Sequence, residues 1–195
     1  MEVKDLISNK GEIIKGPKLI LPDIFKDERG IFYESWNKFK FDKLVEKTSF
    51  VQDNHSKSNL GVLRGLHYQI EPFAQGKLVR CTFGKVYDVV VDLRLNSFTY
   101  SQWASIELNA TENNQLWIPK GFAHGFLALT NSAEVQYKAS NSWSKEHERS
   151  IIWNDQSINI EWPINYFKES NLSISTKDND GMTLKYAEET KNIFL

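Results

Sequence analysis

Three basic side chains that could do chemistry lie close together in the stretch RGLHYQIEPFAQGKLVR. Arg64, His67 and Lys77 occur here in a chain whose 24 basic and 25 acidic residues nearly cancel. Like charges at short range repel, so the grouping favours an anion held among them. Arginine can contact a phosphate through two parallel hydrogen bonds, and lysine is a compact charge that can lie against a developing oxyanion. These residue types and spacings predict a pocket for a phosphorylated ligand.

A metal site is the alternative that the histidines raise. The stretch PKGFAH, which ends at His124, has the spacing P-x-G-x-x-H of the second motif of cupin jelly rolls, where the histidine of metal-binding members is one of several ligands. The first motif would need H-x-H and a following glutamate, whereas this chain has His67, Tyr68 and Gln69. Two histidines without a clear carboxylate fall short of the three or four ligands that zinc or iron needs. We therefore expect no metal, and a metal-dependent cupin oxygenase or isomerase is the less favoured hypothesis.

Composition limits the compartment and the partners. The balanced charge removes the electrostatic argument for a nucleic-acid or membrane-surface partner. Cys81 is the only cysteine, so no internal disulfide can form, which suits a reducing compartment. The N-terminus lacks an apolar signal-like segment, and no run of about eighteen apolar residues occurs. We expect a cytoplasmic protein whose residues 1–195 form one domain, because a chain of this length can bury a sizeable core.

The hydrophobic pattern indicates a mainly β protein. From Phe50 onward, short runs rich in Val, Ile, Leu and aromatic residues alternate with small polar turns. Gly84-Lys85, ATENN and NSA each separate two such runs, which predicts three tight hairpins. The near-continuous apolar run VYDVVVDL predicts a strand that is covered on both faces. We therefore expect an all-β fold with a double-stranded β-helix, or jelly-roll, core of the cupin type and a few short helices.

The two ends of the chain differ from this pattern. The segment SWNKFKFDKLVEKT predicts a helix that begins at Ser35 or Asn37, with Phe41, Leu44 and Val45 as a narrow apolar stripe. From position 161 the strand rhythm is lost. We expect this C-terminal extension to wrap around the core as loops and short helices.

Longer stretches of the sequence resemble a known enzyme family. The stretches FKDERGIFYESW, FVQDNHSKSNLGVLRGLHYQ, AQGKLVR, QLWIPKGFAHGF and AEVQYKASNSWSKEHERSIIWND are similar to those of the dTDP-4-dehydrorhamnose 3,5-epimerases of nucleotide-sugar biosynthesis. The likeness runs from about Pro22 to Asp178, and its motifs are long and collinear. It implies an isomerase that inverts C3 and C5 of a dTDP-linked 4-keto-6-deoxyhexose without a cofactor or metal. It also implies a homodimer whose N-terminal segments cross to the partner subunit.

The resemblance assigns four catalytic roles. His67 would be the base that removes a proton next to the ketone, and Asp178 would orient its imidazole. Tyr137 would be the acid on the opposite face of the sugar. Lys77 would lie near the C4 oxygen, where a positive charge stabilises the enolate. Without the resemblance, Asp178 would be interpreted as a turn residue and Tyr137 as a core tyrosine.

The same resemblance assigns residues that would hold the nucleotide sugar. Two arginines fit a diphosphate, while amide and carboxylate groups fit the thymine edge and the sugar hydroxyls. Arg29 and Glu34 would complete the site of the partner subunit, and Asp53 is as readily a structural residue. The full set is Arg29, Glu34, Gln52, Asp53, Asn54, Arg64, His124, Glu148 and Lys177.

The sequence departs from the family pattern at one loop. Better-known members carry paired tyrosines a few positions after Tyr137, whereas this chain has Asn141, Ser142 and Trp143. That loop would border the sugar, so the choice of hexose and the number of inversions stay open. A monofunctional 3- or 5-epimerase acting on a related 4-keto nucleotide sugar is the second hypothesis. A non-catalytic nucleotide-sugar-binding module is the third.

Overall fold

The computed structural model describes residues 1–166 and 172–195. Within them the chain forms mainly strands, joined by loops and a few short helices. The strands are β1 Glu2–Ile7, β2 Ile13–Leu21, β3 Ile24–Asp27, β4 Gly30–Tyr33, β5 Gln52–Asn59, β6 Val62–Gln69, β7 Lys77–Phe83, β8 Lys85–Asp92, β9 Trp103–Asn109, β10 Gln115–Ile118, β11 Phe122–Ala128, β12 Ser132–Ala139, β13 Glu148–Ser150 and β14 Ser173–Ile174. The helices are α1 Lys38–Leu44, α2 Thr176–Asn179 and α3 Leu184–Glu189, with a 3-10 turn at Ile164–Tyr166.

Two sheets pack face to face. The first sheet has the order β1-β2-β10-β7-β12-β5, and the second has the order β13-β6-β11-β8-β9, with β14 beside β6. The core between them combines Val79 and Val135 of the first sheet with Val90 and Phe126 of the second. Strands β3 and β4 form a separate hairpin. The prediction of an all-β jelly-roll fold is therefore confirmed.

The strand β8 shows why the core has two layers. Val86 and Val90 lie in the cluster between the sheets, whereas Val89 and Val91 lie in a second cluster on the outer face of the second sheet. All four are fully buried. Because successive side chains of a strand point to opposite faces, a strand covered on both sides is apolar almost throughout. The predicted burial of VYDVVVDL on both faces is confirmed.

The three predicted hairpins are wrong. Strands β7 and β8 belong to different sheets, as do β9 and β10, and β11 and β12. Gly84 does have the positive φ, +72°, that the turn prediction required, but the chain there arches from one sheet to the other. Turn residues permit a change of direction without specifying which strand is paired afterwards. In a double-layered fold the partner is decided by which faces are buried.

The predicted helix near the start is confirmed as α1. Asn37 is its N-cap, and the side-chain oxygen accepts a hydrogen bond from the backbone nitrogen of Lys40 at 3.2 Å. Phe41 is buried and meets the Trp117 ring edge to face, with centroids 5.2 Å apart. Leu44 is 47% exposed, so the apolar stripe is narrower than predicted. The helix has only seven residues, and it is anchored on the outer face of the first sheet mainly by the ring of Phe41.

The C-terminal segment covers the outer face of the second sheet. Trp162, Leu184 and Ala187 are buried against Leu63 and Leu66 of β6. Its short helices agree with the loss of strand rhythm from position 161. This packing brings α2 against β6. None of the helices in the described ranges is both long and apolar enough to span a bilayer.

Candidate active site

The site is built from side chains that face the space between the two sheets. On β11, His124 alternates with Phe122 and Phe126, which lie in the core between the sheets. His67 of β6 is the register partner of His124, so both imidazoles lie on this inner face. On β7, Lys77 alternates in the same way with Val79 and Cys81. Tyr137 of β12 packs against the same core.

Lys77 brings the two sides of the site together. Its Nζ lies 3.5 Å from the main-chain oxygen of His67, to which it donates a hydrogen bond. The same Nζ lies 5.7 Å from the centroid of the Tyr137 ring. His67 belongs to the second sheet, whereas Lys77 and Tyr137 belong to the first, so the Lys77 amine links the main chain of His67 to the Tyr137 ring across the two sheets.

His67 is paired with a carboxylate on the C-terminal segment. Its Nε2 lies 2.5 Å from Oδ1 of Asp178, whose side chain is 5% exposed against 29% for the imidazole. Asp178 is in turn fixed by Ser175, the N-cap of α2. Burial alone would raise the pKa of Asp178, but the hydrogen bond and the charge of His67 lower it overall. An ionised Asp178 orients the ring, and Nδ1 of His67 has no hydrogen-bond partner among the described residues.

Lys77 is a buried cation whose proton is loosely held. Burial lowers the pKa of its ammonium to about 8, against the opposing attraction of Glu148 and Asp88, while Lys177 lowers it further. An ammonium of this kind is still mostly charged at pH 7. In a site that excludes water, it can strongly stabilise negative charge that develops nearby.

Tyr137 remains a phenol over the physiological range. Burial raises its pKa, and the negative charge of Glu148 adds to the effect. A protonated hydroxyl on the sheet opposite that of His67 is suited to donating a proton rather than to removing one.

Glu148 and Lys177 form an ion pair beside these groups, with Nζ 2.6 Å from Oε2. Burial would raise the pKa of Glu148, but Lys177, the Trp143 indole and His67 together lower it, so its carboxylate is ionised. Trp143 is also held through its backbone nitrogen, which donates to Oε1 of Gln52 at 3.0 Å. The loop that departs from the family pattern therefore lies against two of the predicted ligand-binding residues.

Gln52 and Asn54 line one side of the site from β5. They are the register partners of Ala139 and Tyr137, and the Gln52 amide donates to Oδ1 of Asn54 at 3.0 Å. Arg64 is exposed, and its Nε donates to Oγ of Ser58 at 3.1 Å, from β6 across to β5. Arg64 forms no ion pair within residues 1–166 and 172–195. Its charge is thus available for an anionic ligand.

Three of the predicted binding residues lie elsewhere in this chain. Asp53 lies between Gln52 and Asn54 in the strand and therefore points to the opposite, outward face, where its carboxylate pairs with Lys138 at 3.1 Å. Arg29 lies in the β3–β4 hairpin, with 85% of its side chain exposed, and pairs with Asp27 at 2.6 Å. Glu34 pairs with Lys40 at 2.9 Å. In the described part of the chain, none of these three forms a hydrogen bond or ion pair with the cluster around His67.

The sequence as a whole matches one family model. That model, described as dTDP-4-dehydrorhamnose 3,5-epimerase, covers residues 12–186. The chain belongs to the dTDP-4-dehydrorhamnose 3,5-epimerase family. The resemblance seen in the sequence is thereby confirmed.

Individual members of the family are similar over most of their length. The dTDP-4-dehydrorhamnose 3,5-epimerase of Shigella flexneri is 55% identical over 161 residues, which are 82% of this chain and 86% of that protein. A 3,5-epimerase of Legionella pneumophila, solved with dTDP-4-keto-L-rhamnose, superposes with a TM-score of 0.88 at 39% identity, covering 99% and 98% of the two chains. A 3'-monoepimerase of Streptomyces bikiniensis, solved with dTDP-quinovose, superposes with a TM-score of 0.84 at 30% identity, covering 92% and 89%.

His124 has a partner that the sequence did not reveal. Its Nε2 lies 2.9 and 3.0 Å from the two carboxylate oxygens of Asp88, which is fully buried. The available signal was a carboxylate at an inward position in the middle of β8, between the inward-facing Val86 and Val90. Among the described residues, no group of three or more His, Cys, Asp or Glu side chains is arranged to hold a metal ion.

Proposed function

We propose that this chain catalyses the reaction for which its family is named. It would convert dTDP-4-dehydro-6-deoxy-D-glucose into dTDP-4-dehydro-L-rhamnose by inverting C3 and C5. The observation that carries the proposal is that His67 and Tyr137 lie on opposite sheets and that the Lys77 amine is near both, 3.5 Å from the His67 main-chain oxygen and 5.7 Å from the centroid of the Tyr137 ring. Such a site can act on both faces of one sugar ring.

The chemistry follows from the acidity of hydrogens next to a ketone. His67 accepts the proton from the carbon beside C4, and the electron pair moves onto the C4 oxygen as an enolate. Asp178 stabilises the imidazolium that forms, and Lys77 stabilises the enolate oxygen. Tyr137 then donates a proton to the opposite face of the same carbon. The same proton removal and proton return then take place at the second carbon, after His67 has lost its proton and Tyr137 has regained one.

No cofactor is needed for these steps, because the four side chains supply the base, its orienting carboxylate, the oxyanion stabiliser and the acid. The nucleotide part of the substrate would be held by the polar groups around them. Arg64 suits the diphosphate, since its guanidinium is without an ion-pair partner among the described residues. The remaining groups are Gln52, Asn54, His124, Glu148 and Lys177. We leave Asp53 out of this set, because its carboxylate faces outward and is paired with Lys138.

We also propose a homodimer in which the β3–β4 hairpin reaches the partner subunit. Phe25 and Phe32 of the hairpin are 66% and 73% exposed, and Ile31 is 52% exposed. Contiguous exposed apolar side chains of this size are typical of interaction surfaces. A hairpin docked on the partner would carry Arg29 and Glu34 to its site. The chain would then act as one domain per subunit, in the cytoplasm.

A monofunctional epimerase is the second candidate, and the likeness to the 3'-monoepimerase of Streptomyces bikiniensis favours it. The two candidates share the base and the acid, so they differ in whether one carbon or two are inverted. The higher identity to the Shigella flexneri relative supports two inversions.

Deuterium labelling tests the proposal. The protein is incubated with dTDP-4-dehydro-6-deoxy-D-glucose in deuterated water, and NMR reads the label and the configuration at C3 and C5. Label and inversion at both carbons are expected. Label at one carbon alone would favour the monofunctional enzyme, and label at neither would contradict catalysis of either kind.

A further inference from the structure

A fully buried carboxylate lies beneath the proposed site and has no part in the chemistry described so far. Asp88 is at the middle of β8, between Val86 and Val90, and its exposure is 0%. An ionised carboxylate in such surroundings is costly unless it is compensated by hydrogen bonds and opposite charge. Its contacts should therefore show what compensates the cost of its burial.

The first contact is with His124. Nε2 of the imidazole lies 2.9 Å from Oδ1 and 3.0 Å from Oδ2 of Asp88, so the ring faces both oxygens. An ionised carboxylate can only accept, which requires a proton on Nε2. Nδ1 is left for other partners, and none is present among the described residues. His124 is also the register partner of His67, so its orientation fixes one wall of the space in front of the proposed base.

The second interaction is with Lys77. Lys77 is 9% exposed, and no carboxylate lies within ion-pair distance of its amine in the described ranges. Two carboxylates act on it from further away: Glu148 of β13, with the larger effect, and Asp88 of β8. The oxygen of Glu148 is already occupied by the exposed Lys177 at 2.6 Å. Asp88 is fully buried, and screening by water is weakest in the interior.

Several groups surround Lys77 and have to be considered together. Asp88 and Glu148 favour its charged form, and Lys177 on α2 disfavours it. The main-chain oxygen of His67 on β6 accepts a hydrogen bond from the amine, the uncharged Tyr137 ring of β12 lies 5.7 Å from it, and His124 of β11 is hydrogen-bonded to Asp88. Asp88 is the one carboxylate of this set that lies in the interior.

We infer that Asp88 is a positioning residue, which fixes the His124 imidazole and keeps the Lys77 amine in its ammonium form at the pH of turnover. The inference rests on the proposed function, because it treats Lys77 as the group that stabilises the enolate. It adds a residue that acts through two others and never touches the substrate.

The test compares D88N with D92N. Both changes neutralise a fully buried carboxylate on β8, but Asp92 is held by Arg94, Ser97 and Thr99 and has no contact with the cluster around Lys77. The pH dependence of kcat/KM is measured for the wild type and for both variants. We expect the wild-type rate to fall above about pH 8, where the Lys77 ammonium is lost. In D88N this fall should begin about one pH unit lower, and in D92N it should keep its wild-type position.

Coincident profiles of D88N and wild type would overturn the inference, because a purely structural carboxylate changes stability and leaves the titration in place. NMR of [13Cε]lysine-labelled protein gives a second readout that needs no turnover: the Lys77 midpoint should be lower in D88N than in wild type, and an equal midpoint would contradict the inference.

If D88N does not fold, NMR determination of the His124 tautomer in the wild type tests the inference instead. A proton on Nε2 is expected, and a neutral ring protonated on Nδ1 would overturn the inference. A wild type that lacks epimerase activity would contradict the proposed function, while the NMR measurements would still decide the role of Asp88.

Discussion

Two histidine–aspartate pairs have their histidines on neighbouring strands of the same sheet, and they differ in how far their side chains are exposed to solvent. The His67–Asp178 pair joins β6 to the C-terminal helix α2, and 29% of the imidazole is exposed. The His124–Asp88 pair joins β11 to β8, and its imidazole is 8% exposed. The two imidazoles are register partners, so they differ in their surroundings more than in their place in the sheet.

The surroundings shift the pKa values of the two carboxylates in opposite directions. His67 lowers the pKa of Asp178 despite its burial, whereas burial raises the pKa of Asp88 despite the attraction of His124 and Lys77. A pair that is open to solvent on one side can accept and release protons with a substrate. A pair that is closed in the interior holds a fixed arrangement. The same two residue types can therefore act as a base unit at the mouth of a site and as a support below it.

The largest effect is expected for H67A. Loss of the base should lower kcat by about a thousandfold, as measured by NMR of product formation. H55A is the matched control, because His55 faces outward and pairs with Glu134. Turnover of H67A close to that of the wild type, with H55A unchanged, would contradict the role of the exposed pair.

Y137F separates the two halves of the reaction. We expect inversion to fall by about a hundredfold or more. Exchange of the substrate proton with deuterium should continue, because His67 and Asp178 remain. The label would then appear with retained configuration. Loss of exchange and inversion to the same extent would show that Tyr137 is needed before the proton is removed.

The variant D178N tests whether His67 needs the Asp178 carboxylate to act as the base. A neutral amide can no longer stabilise the imidazolium, so kcat should fall by about a hundredfold. KM should change less, because Asp178 is almost fully covered and has no contact with the substrate in the proposed mechanism. A rise in KM with unchanged kcat would instead indicate a role in binding.

A smaller effect is expected at the deep pair. H124Q retains a side-chain N–H for Asp88 and should lower kcat/KM by about tenfold, mainly through KM. The size of the loss relative to H67A measures how far the two imidazoles differ in function. A loss in kcat as large as that of H67A would remove the distinction between the pairs.

The smallest effect is on stability, and it has opposite signs at the two aspartates. Asp178 has a folded-state pKa below the ordinary 3.8, so its stabilisation is full above pH 3.8 and is lost as the pH falls through the folded-state value. Asp88 has a folded-state pKa above 3.8, so the protein is relatively more stable below pH 3.8 and loses that stability as the pH rises through the folded-state value.

Urea unfolding of the wild type, D178N and D88N from about pH 2.5 to 6 measures both effects. The wild type should gain stability relative to D178N as the pH rises, and it should lose stability relative to D88N over a higher pH range. Curves with the same sign would contradict the assigned environments.

Much of the site could be predicted from the sequence because its residues lie in long collinear motifs. His67, Lys77 and Tyr137 were expected to act together, and the Lys77 amine lies near the main chain of His67 and the ring of Tyr137; their roles stay a prediction. Asp178 could be proposed only through the resemblance, since a lone aspartate before a glycine has the composition of a turn. Asp88 was overlooked because an aspartate in an apolar strand carries no sign of what it will face.

The sequence by itself determined the strands β7 to β12, the helix α1 and the two-faced burial of β8, since these depend on the local alternation of apolar and polar residues. Only the tertiary structure decided that consecutive strands cross between sheets where hairpins were expected. It also decided that His67 meets Asp178, 111 positions away in the chain, and that the Asp88 carboxylate lies under His124. Pairing between strands depends on which faces are buried together, and that is a property of the folded chain that no short stretch encodes.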